Sequence, residues 1–454
     1  NNLIVNPDFS IIFSDSPNNK LDISAHLIDS SPPTIDSNIY PDKGLLGSFA
    51  LNDLKVDQGA GGTSQTNPSS FINNNGNGLV VWRDTRASTI SLYARFFNDY
   101  LPDGKDFSIT SKSNPSGDIF NSNVNLTNSG NGFVVWAESI PDPVTYASHI
   151  YLQQMKSYIT FSNKIPIDGS LIGNQQNQSQ PKVSLSSSDG RGAIVWHGDS
   201  DPTIAVNNDI YIRSLTSLPT DDWSSYKLGG SSATPTKIIN SSLPFDQTDA
   251  SISKINSSGS CFVVWQDNRS GNYDIYGRKV TIESDGSISF DTESIINQGT
   301  TNNQEKPSIA LDDNGNGLIV WQDNRFGNYD IYGRKISRYS LSTSNPEFII
   351  SNASGDKKLP NVKLDSKGDG IVTWDDAGTS RTPVVSGTDI YAKKIKSYAP
   401  IGNDYKVDND TTLAQSNNSL SINDSGNGFI SWQDLRDSSD VNIYGRRVIN
   451  NKTQ

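Results

Sequence analysis

Along most of the chain, apolar residues come in strings of three to five, separated by clusters of Asn, Asp, Ser and Gly. One stretch shows the pattern. PSIALDD (307–313) alternates apolar and polar positions, NGNG (314–317) breaks the string, and LIVWQD (318–323) resumes it. Period-two alternation on both sides of a glycine-bearing turn predicts a β-hairpin. DIYGRKI (330–336) alternates again, and a weaker string such as SIINQ (294–298) precedes the next unit. No segment shows the 3.6-residue period of an amphipathic helix. Each unit therefore reads as four short antiparallel strands.

The units repeat. WQDNRSGNYDIYGRKV (265–280) is nearly duplicated by WQDNRFGNYDIYGRKI (321–336), and looser copies open at Trp82, Trp136, Trp196, Trp374 and Trp432. Successive tryptophans lie 54, 60, 69, 56, 53 and 58 residues apart, and only Trp223 falls outside the series. Four strands repeated in tandem at this period specify the blades of a β-propeller in an all-β chain. The expectation is a single propeller domain over residues 1–454, with seven tryptophan repeats in 60–454 and a degenerate first repeat in 1–59. That makes eight blades; seven with an N-terminal extension is the alternative. The final repeat lacks a fourth strand, since only ten residues follow Tyr444. Leu3, Ile4 and Val5 are expected to supply it in cis and so remove the open edge.

The repeated residues read as structure. Trp82, Trp136, Trp196, Trp265, Trp321, Trp374 and Trp432 share strings with core valines, which places them between blades; sugar-stacking rings are the alternative. The acid–arginine sets Asp84 and Arg86, Asp267 and Arg269, Asp323 and Arg325, and Asp434 and Arg436 occur four times over, whereas a catalytic site is needed once. They are expected to fix the loop after the second strand. Gly198 lacks the acid. Variation is more informative about ligands. Trp-to-Tyr intervals of 11, 15, 15, 11, 11, 17 and 12 residues show lengthened loops at 138–149, 197–209 and 376–389, and a further insert spans 216–237. Lengthened loops on one face of a rigid ring read as a binding surface. The candidates there are Asp142, Tyr146, Asp199, Asp201, Trp223, Tyr226 and Arg381.

Composition narrows the function. A net charge of −12 disfavours a nucleic-acid partner held through its phosphates, and no apolar run approaches a membrane span. One cysteine, Cys261, excludes a disulfide framework. The sole methionine is Met155, and with the Asn- and Ser-rich composition this suggests a secreted or cell-surface chain whose export signal has been removed. Asp312, Asn314, Asn316 and Asp323 match the spacing of a calcium loop, but 318–323 reads as a strand that carries Asp323 away; no cofactor is expected. Three scattered histidines and no G-x-S-x-G elbow leave nucleophilic catalysis without support.

The tandem W-x-D-x-R…D-I-Y-G-R units over residues 60–448 resemble repeats of secreted and cell-surface β-propellers of bacteria and archaea, of a broadly TolB-like kind. The resemblance implies the fold and a range of roles, from adhesins and assembly platforms to sugar binders and enzyme scaffolds. The expectation is a non-catalytic binding or structural module, with a cell-surface protein or glycan, or further copies of itself, as partner. A carbohydrate-active enzyme using loop carboxylates is the alternative.

Overall fold

The computed structural model describes residues 3–6, 9–15, 21–27 and 53–449, apart from 60–61, 87–89, 112–116, 140–146, 161, 169–176, 187, 189, 200–207, 217–226, 229–235, 242–244, 343, 379–386, 411–412 and 438–439. The chain divides into two compact units, Asn1–Leu45 and Leu46–Gln454. In the first, Leu3–Asn6, Phe9–Asp15 and Leu21–Leu27 form a three-stranded antiparallel sheet with Phe9–Asp15 in the middle.

The second unit is a seven-bladed propeller. Blade 1 consists of Gln65–Ile72, Gly78–Asp84, Ser91–Asn98 and Leu101–Ser111, paired in that order from the axis outwards. The innermost strands of blades 2 to 7 are Ile119–Leu126, Ser179–Leu185, Gln247–Ile252, Gln304–Leu311, Lys357–Leu364 and Gln415–Ile422. Each touches the innermost strand on either side, and the last touches the first, so the ring is closed. These strands make no ladder with one another. Side chains stitch them instead: Ser69, Asn123, Ser308 and Ser419 each accept the N–H of Val124, Val183, Val362 and Ser70, respectively, in the following blade.

Seven apolar clusters fill the seven gaps between blades. Each contains one repeat tryptophan, fully buried against the preceding blade: Trp265 packs on Val195 and Ile212, and Trp82 packs on Phe429 and Ile443 of blade 7. On the far side of each sheet the second strand enters from a tight turn. Gly315 has φ +76, and a Cβ there would lie 2.3 Å from the ring of Tyr339, so only glycine fits.

Two expectations need correction. The ring has seven blades, because blade 1 packs directly on blade 7 and leaves no place for an eighth. Nor do Leu3–Val5 complete the last blade; Leu3 and Ile4 pair with Ile11 and Ser10. The closing strand is Leu54–Lys55, which pairs with Gly445 and Tyr444. Beyond it, Val56 donates its N–H to the Ile443 carbonyl at 2.7 Å, and Asp57 accepts the Ile443 N–H at 2.7 Å. The segment LKVDQG (54–59) occupies the place that SIINQG (294–299) holds in blade 4, where Asn297 caps the Ile275 N–H at 2.7 Å. Closure is thus in cis, from a later segment than the one expected.

Candidate functional site

The conserved geometry of the blades explains the repeated residues. Nε1 of Trp82, Trp265, Trp321, Trp374 and Trp432 donates to the carboxylate two residues on, at 2.8, 3.3, 3.1, 3.0 and 2.8 Å. Trp136 does so to Glu138 at 3.5 Å. In blade 3, where Gly198 replaces the acid, Gln178 Oε1 takes the Trp196 proton at 2.6 Å and occupies the space a side chain at 198 would need. The same carboxylates hold the following arginines. Arg86, Arg269, Arg325 and Arg436 lie flat over Tyr93, Tyr276, Tyr332 and Tyr444 at 4.4, 4.2, 4.3 and 4.0 Å, and each also pairs with an outer-strand acid: Asp106, Glu293, Glu347 and Asp53. With their charges paired and the indole protons taken, these sets position loops. The tryptophans, being buried, cannot stack on sugars.

Asp312 is likewise occupied. Its carboxylate accepts the N–H groups of Asn314 and Asn316 at 2.9 and 2.8 Å and the hydroxyl of Tyr398 at 2.8 Å, while Asp323 stands at the far end of the strand with Trp321 and Arg325. The four residues of the calcium spacing do not converge. Of the variable-loop candidates, Asp199 ends the second strand of blade 3 opposite Asn208. Asp142, Tyr146, Asp201, Trp223, Tyr226 and Arg381 lie outside the described residues.

The feature that sequence reading missed is at the axis. Near its start, every innermost strand slips register against the second strand and places one residue in the left-handed region: Asn67, Asn121, Gln180, Asp249, Lys306, Leu359 and Asn417, with φ between 52° and 55°. Only the asparagines, and to a degree Asp249, adopt this conformation readily, so the bulges must be held from outside. In five blades the residue after the tryptophan does this for the following blade; Arg83 and Ala137 are the exceptions. Gln266, Gln322 and Gln433 accept the bulge N–H of Lys306, Leu359 and Asn67 at 2.9, 3.1 and 3.4 Å. His197 and Asp375 do the same for Asp249 and Asn417 at 3.4 and 2.7 Å. A sequence signal existed: Pro68, Pro181, Pro307 and Pro360 directly follow four of the bulges, and proline inside a strand marks a bulge or an unpaired edge.

Together the bulges form a polar cup of about 350 Å³ at the mouth of the axial channel, lined by residues of all seven blades, among them Asn67, Asn121, Lys182, Asp249, Lys306 and Asn417. Gln304 pairs with Asp323 and Asp323 with Asp330, so the cup shares its end of the ring with the loops between second and third strands. On one wall, Lys306 Nζ holds both oxygens of Asp249 at 2.9 and 2.8 Å. Behind it His197 is buried, which pushes its pKa down to about 4 and keeps the ring neutral, as its acceptor role requires. Lys182 faces the water of the channel, but the surrounding walls lower its pKa. On the opposite side, burial raises the Asp375 carboxyl to about 6 against the lowering effect of the Asn418 amide and the backbone N–H groups of Asn417 and Asn418.

Fold and site thus define a seven-bladed propeller with one polar cup on its axis. No family model matches the chain, and no curated protein does. Among solved structures it is similar to a protein of unknown function from Dyadobacter fermentans (9% identity, 88% of this chain and 98% of that one, TM-score 0.48). It is also similar to the polysaccharide lyase Uly1 (8%, 90% and 93%, 0.48) and to an α-L-arabinanase of Penicillium chrysogenum (11%, 89% and 98%, 0.43). The expectation of a non-catalytic module is corrected here: two of these similar structures are a polysaccharide lyase and an α-L-arabinanase. At these identities the likeness describes the fold; a functional reading rests on the site.

Proposed function

We propose that this propeller is an extracellular carbohydrate-active enzyme, a glycoside hydrolase or lyase, whose substrate binds in the axial cup. The carrying observation is the convergence on one wall of Asp249, Lys306 and Lys182, a carboxylate and two amines, with His197 buried behind them, in a cup whose other polar lining is amides and hydroxyls. Amides and hydroxyls match the donors and acceptors of a sugar ring. Displaced pKa values at Lys182 and His197 mark the wall as a place where proton transfer is tuned. Asp249 is the group assigned to proton transfer, with Lys306 fixing its orientation. A screen of neutral and acidic polysaccharides, read by reducing ends and by the ultraviolet absorbance of unsaturated products, tests this. Turnover by the native chain should fall at least about a hundredfold in Asp249→Asn. No turnover across the panel, or turnover indifferent to Asp249→Asn, overturns the assignment.

A further inference from the structure

The charge inside the channel runs against that of the whole molecule. The chain carries 49 acidic and 37 basic residues, yet the described channel wall carries three lysines and one aspartate. Their placement follows from the strand period. Lys306 is the bulge residue of blade 5. Lys182 stands two residues beyond the bulge of blade 3, and Lys363 four residues beyond that of blade 6. Side chains two apart share a face, so each step moves about 7 Å down the channel. The ammonium groups therefore descend from the mouth in three layers.

Only the first is neutralised. Lys306 is paired with Asp249, whereas Lys182 and Lys363 form no ion pair among the described residues. Both are exposed to the channel while protein surrounds them, an arrangement that lowers the pKa of each; the charge of Lys182 adds to the effect on Lys363. Unpaired cations in an enclosed, low-dielectric passage are costly unless something anionic visits them. The cup also offers hydrogen-bonding side chains at Asn67, Asn121, Asn361 and Asn417, which a simple ion does not need and a hydroxylated chain does.

We infer that the saccharide received by the axial cup is anionic, with its carboxylate or sulfate groups directed towards Lys182 and, one layer deeper, Lys363. This rests on the reading of the cup as a saccharide site. It also implies a coupling: an anion beside Lys182 and Lys363 raises their affinity for protons, so binding strengthens as pH falls through the range in which the free lysines lose theirs.

The test is calorimetric titration of the full chain with three probes of similar length: an oligogalacturonate, a sulfated galactan oligosaccharide and a neutral cello-oligosaccharide. Binding of either anionic probe, at least about tenfold tighter than the neutral one and weakened by salt, is expected, and the two arms separate carboxylate from sulfate as the preferred group. Lys182→Gln and Lys363→Gln should each weaken the anionic probe about tenfold and the neutral one by much less, with Lys182→Arg restoring affinity for the anionic probe. Neither lysine forms an ion pair among the described residues, so both variants are expected to melt with the native chain. Equal affinity for neutral and anionic probes, or anionic affinity unaltered in both glutamine variants, overturns the inference. Binding of inorganic sulfate as tightly as the sulfated oligosaccharide also overturns it, since the sugar would then contribute nothing. Lysine-dependent binding without turnover would sustain this inference and defeat the enzymatic reading; turnover of a neutral glycan with no anionic binding would do the reverse.

Discussion

The closure of the ring depends on Asp53. Its side chain is wholly buried, accepts from Arg436 at 2.8 Å and from the Asn409 N–H at 3.0 Å, and forms an ion pair with Arg446. Asp53→Asn removes the charge while keeping the shape. Breaking a buried ion pair by neutralising one partner costs about 3–5 kcal/mol, because the other charge stays buried. Arg436 keeps Asp434, at 2.6 Å, so the lower end applies, about 3 kcal/mol. That corresponds to a roughly hundredfold shift in the folding equilibrium. Val56 adds an independent contribution: it is fully buried beside Trp82, Phe97 and Phe429, and Val56→Ala should cost a further ~1–2 kcal/mol. The assay is chemical denaturation followed by tryptophan fluorescence, which all seven blade interfaces report. A double-mutant cycle of Asp53→Asn with Arg446→Gln should show coupling above about 1 kcal/mol. A change below about 0.5 kcal/mol in Asp53→Asn, with no coupling to Arg446, would refute closure of the last blade by residues 53–57.

Four further outcomes are expected. Gln178→Ala strands the buried Trp196 proton and should lower stability by about 1–3 kcal/mol, whereas Gln178→Glu should retain most of it, as an acid does in other blades. Leu359 is a leucine in the left-handed region, so Leu359→Asn should be neutral or stabilising by up to ~1 kcal/mol in thermal melts; a clear loss would contradict the strain assigned to the bulge. His197, with its folded pKa depressed to about 4, withdraws stability as pH falls from about 6.5 to 4, by up to ~3 kcal/mol, and His197→Gln should abolish that part of the acid sensitivity. Asp375 acts with the opposite sign: raised to about 6, it binds a proton more readily when folded, so its contribution grows as pH falls from 6 to 4, and Asp375→Asn should steepen acid denaturation over that window.

The blades were legible because their signal is local. Alternation, the turn glycines and the tryptophan at one register fix four strands and their buried face within about fifty residues. Closure was not, since its pairing partner lies nearly the whole chain away: Lys55 meets Tyr444. LKVDQG does echo SIINQG, but counting by an average repeat length assigned it to an extra blade rather than to the end of the last one. The bulge ring stayed hidden for a different reason. One extra residue in a strand changes which face every later side chain takes, and Pro307 after Lys306 reads equally well as a turn. Lys182 and Lys363 therefore carried no sign of facing an axis. The lengthened loops, by contrast, were correctly seen to rise from one end of the ring at Ser139, Asp199 and Asp376, and that is the end where the cup opens.

Seven copies of one motif make seven equivalent environments, and a single substrate needs one that differs. The residues that repeat faithfully, such as the Trp321–Asp323–Arg325–Tyr332 set, therefore belong to the scaffold. Function is to be sought where the symmetry breaks at constant geometry. After the tryptophan, glutamine holds the next bulge in blades 4, 5 and 7, but blade 3 carries His197 and blade 6 carries Asp375. At the bulges, asparagine is common, yet blades 4 and 5 carry Asp249 and Lys306 in contact. Two residues deeper, serine or asparagine stands in six blades and Lys182 in blade 3. Four of these departures, His197, Lys182, Asp249 and Lys306, fall in adjacent blades 3 to 5 and give the cup one reactive wall; the asparagines of blades 1, 2 and 7 form the other. A substrate bound between them would meet hydrogen-bonding groups on one side and ionisable groups on the other, a polarity that seven identical blades could not provide.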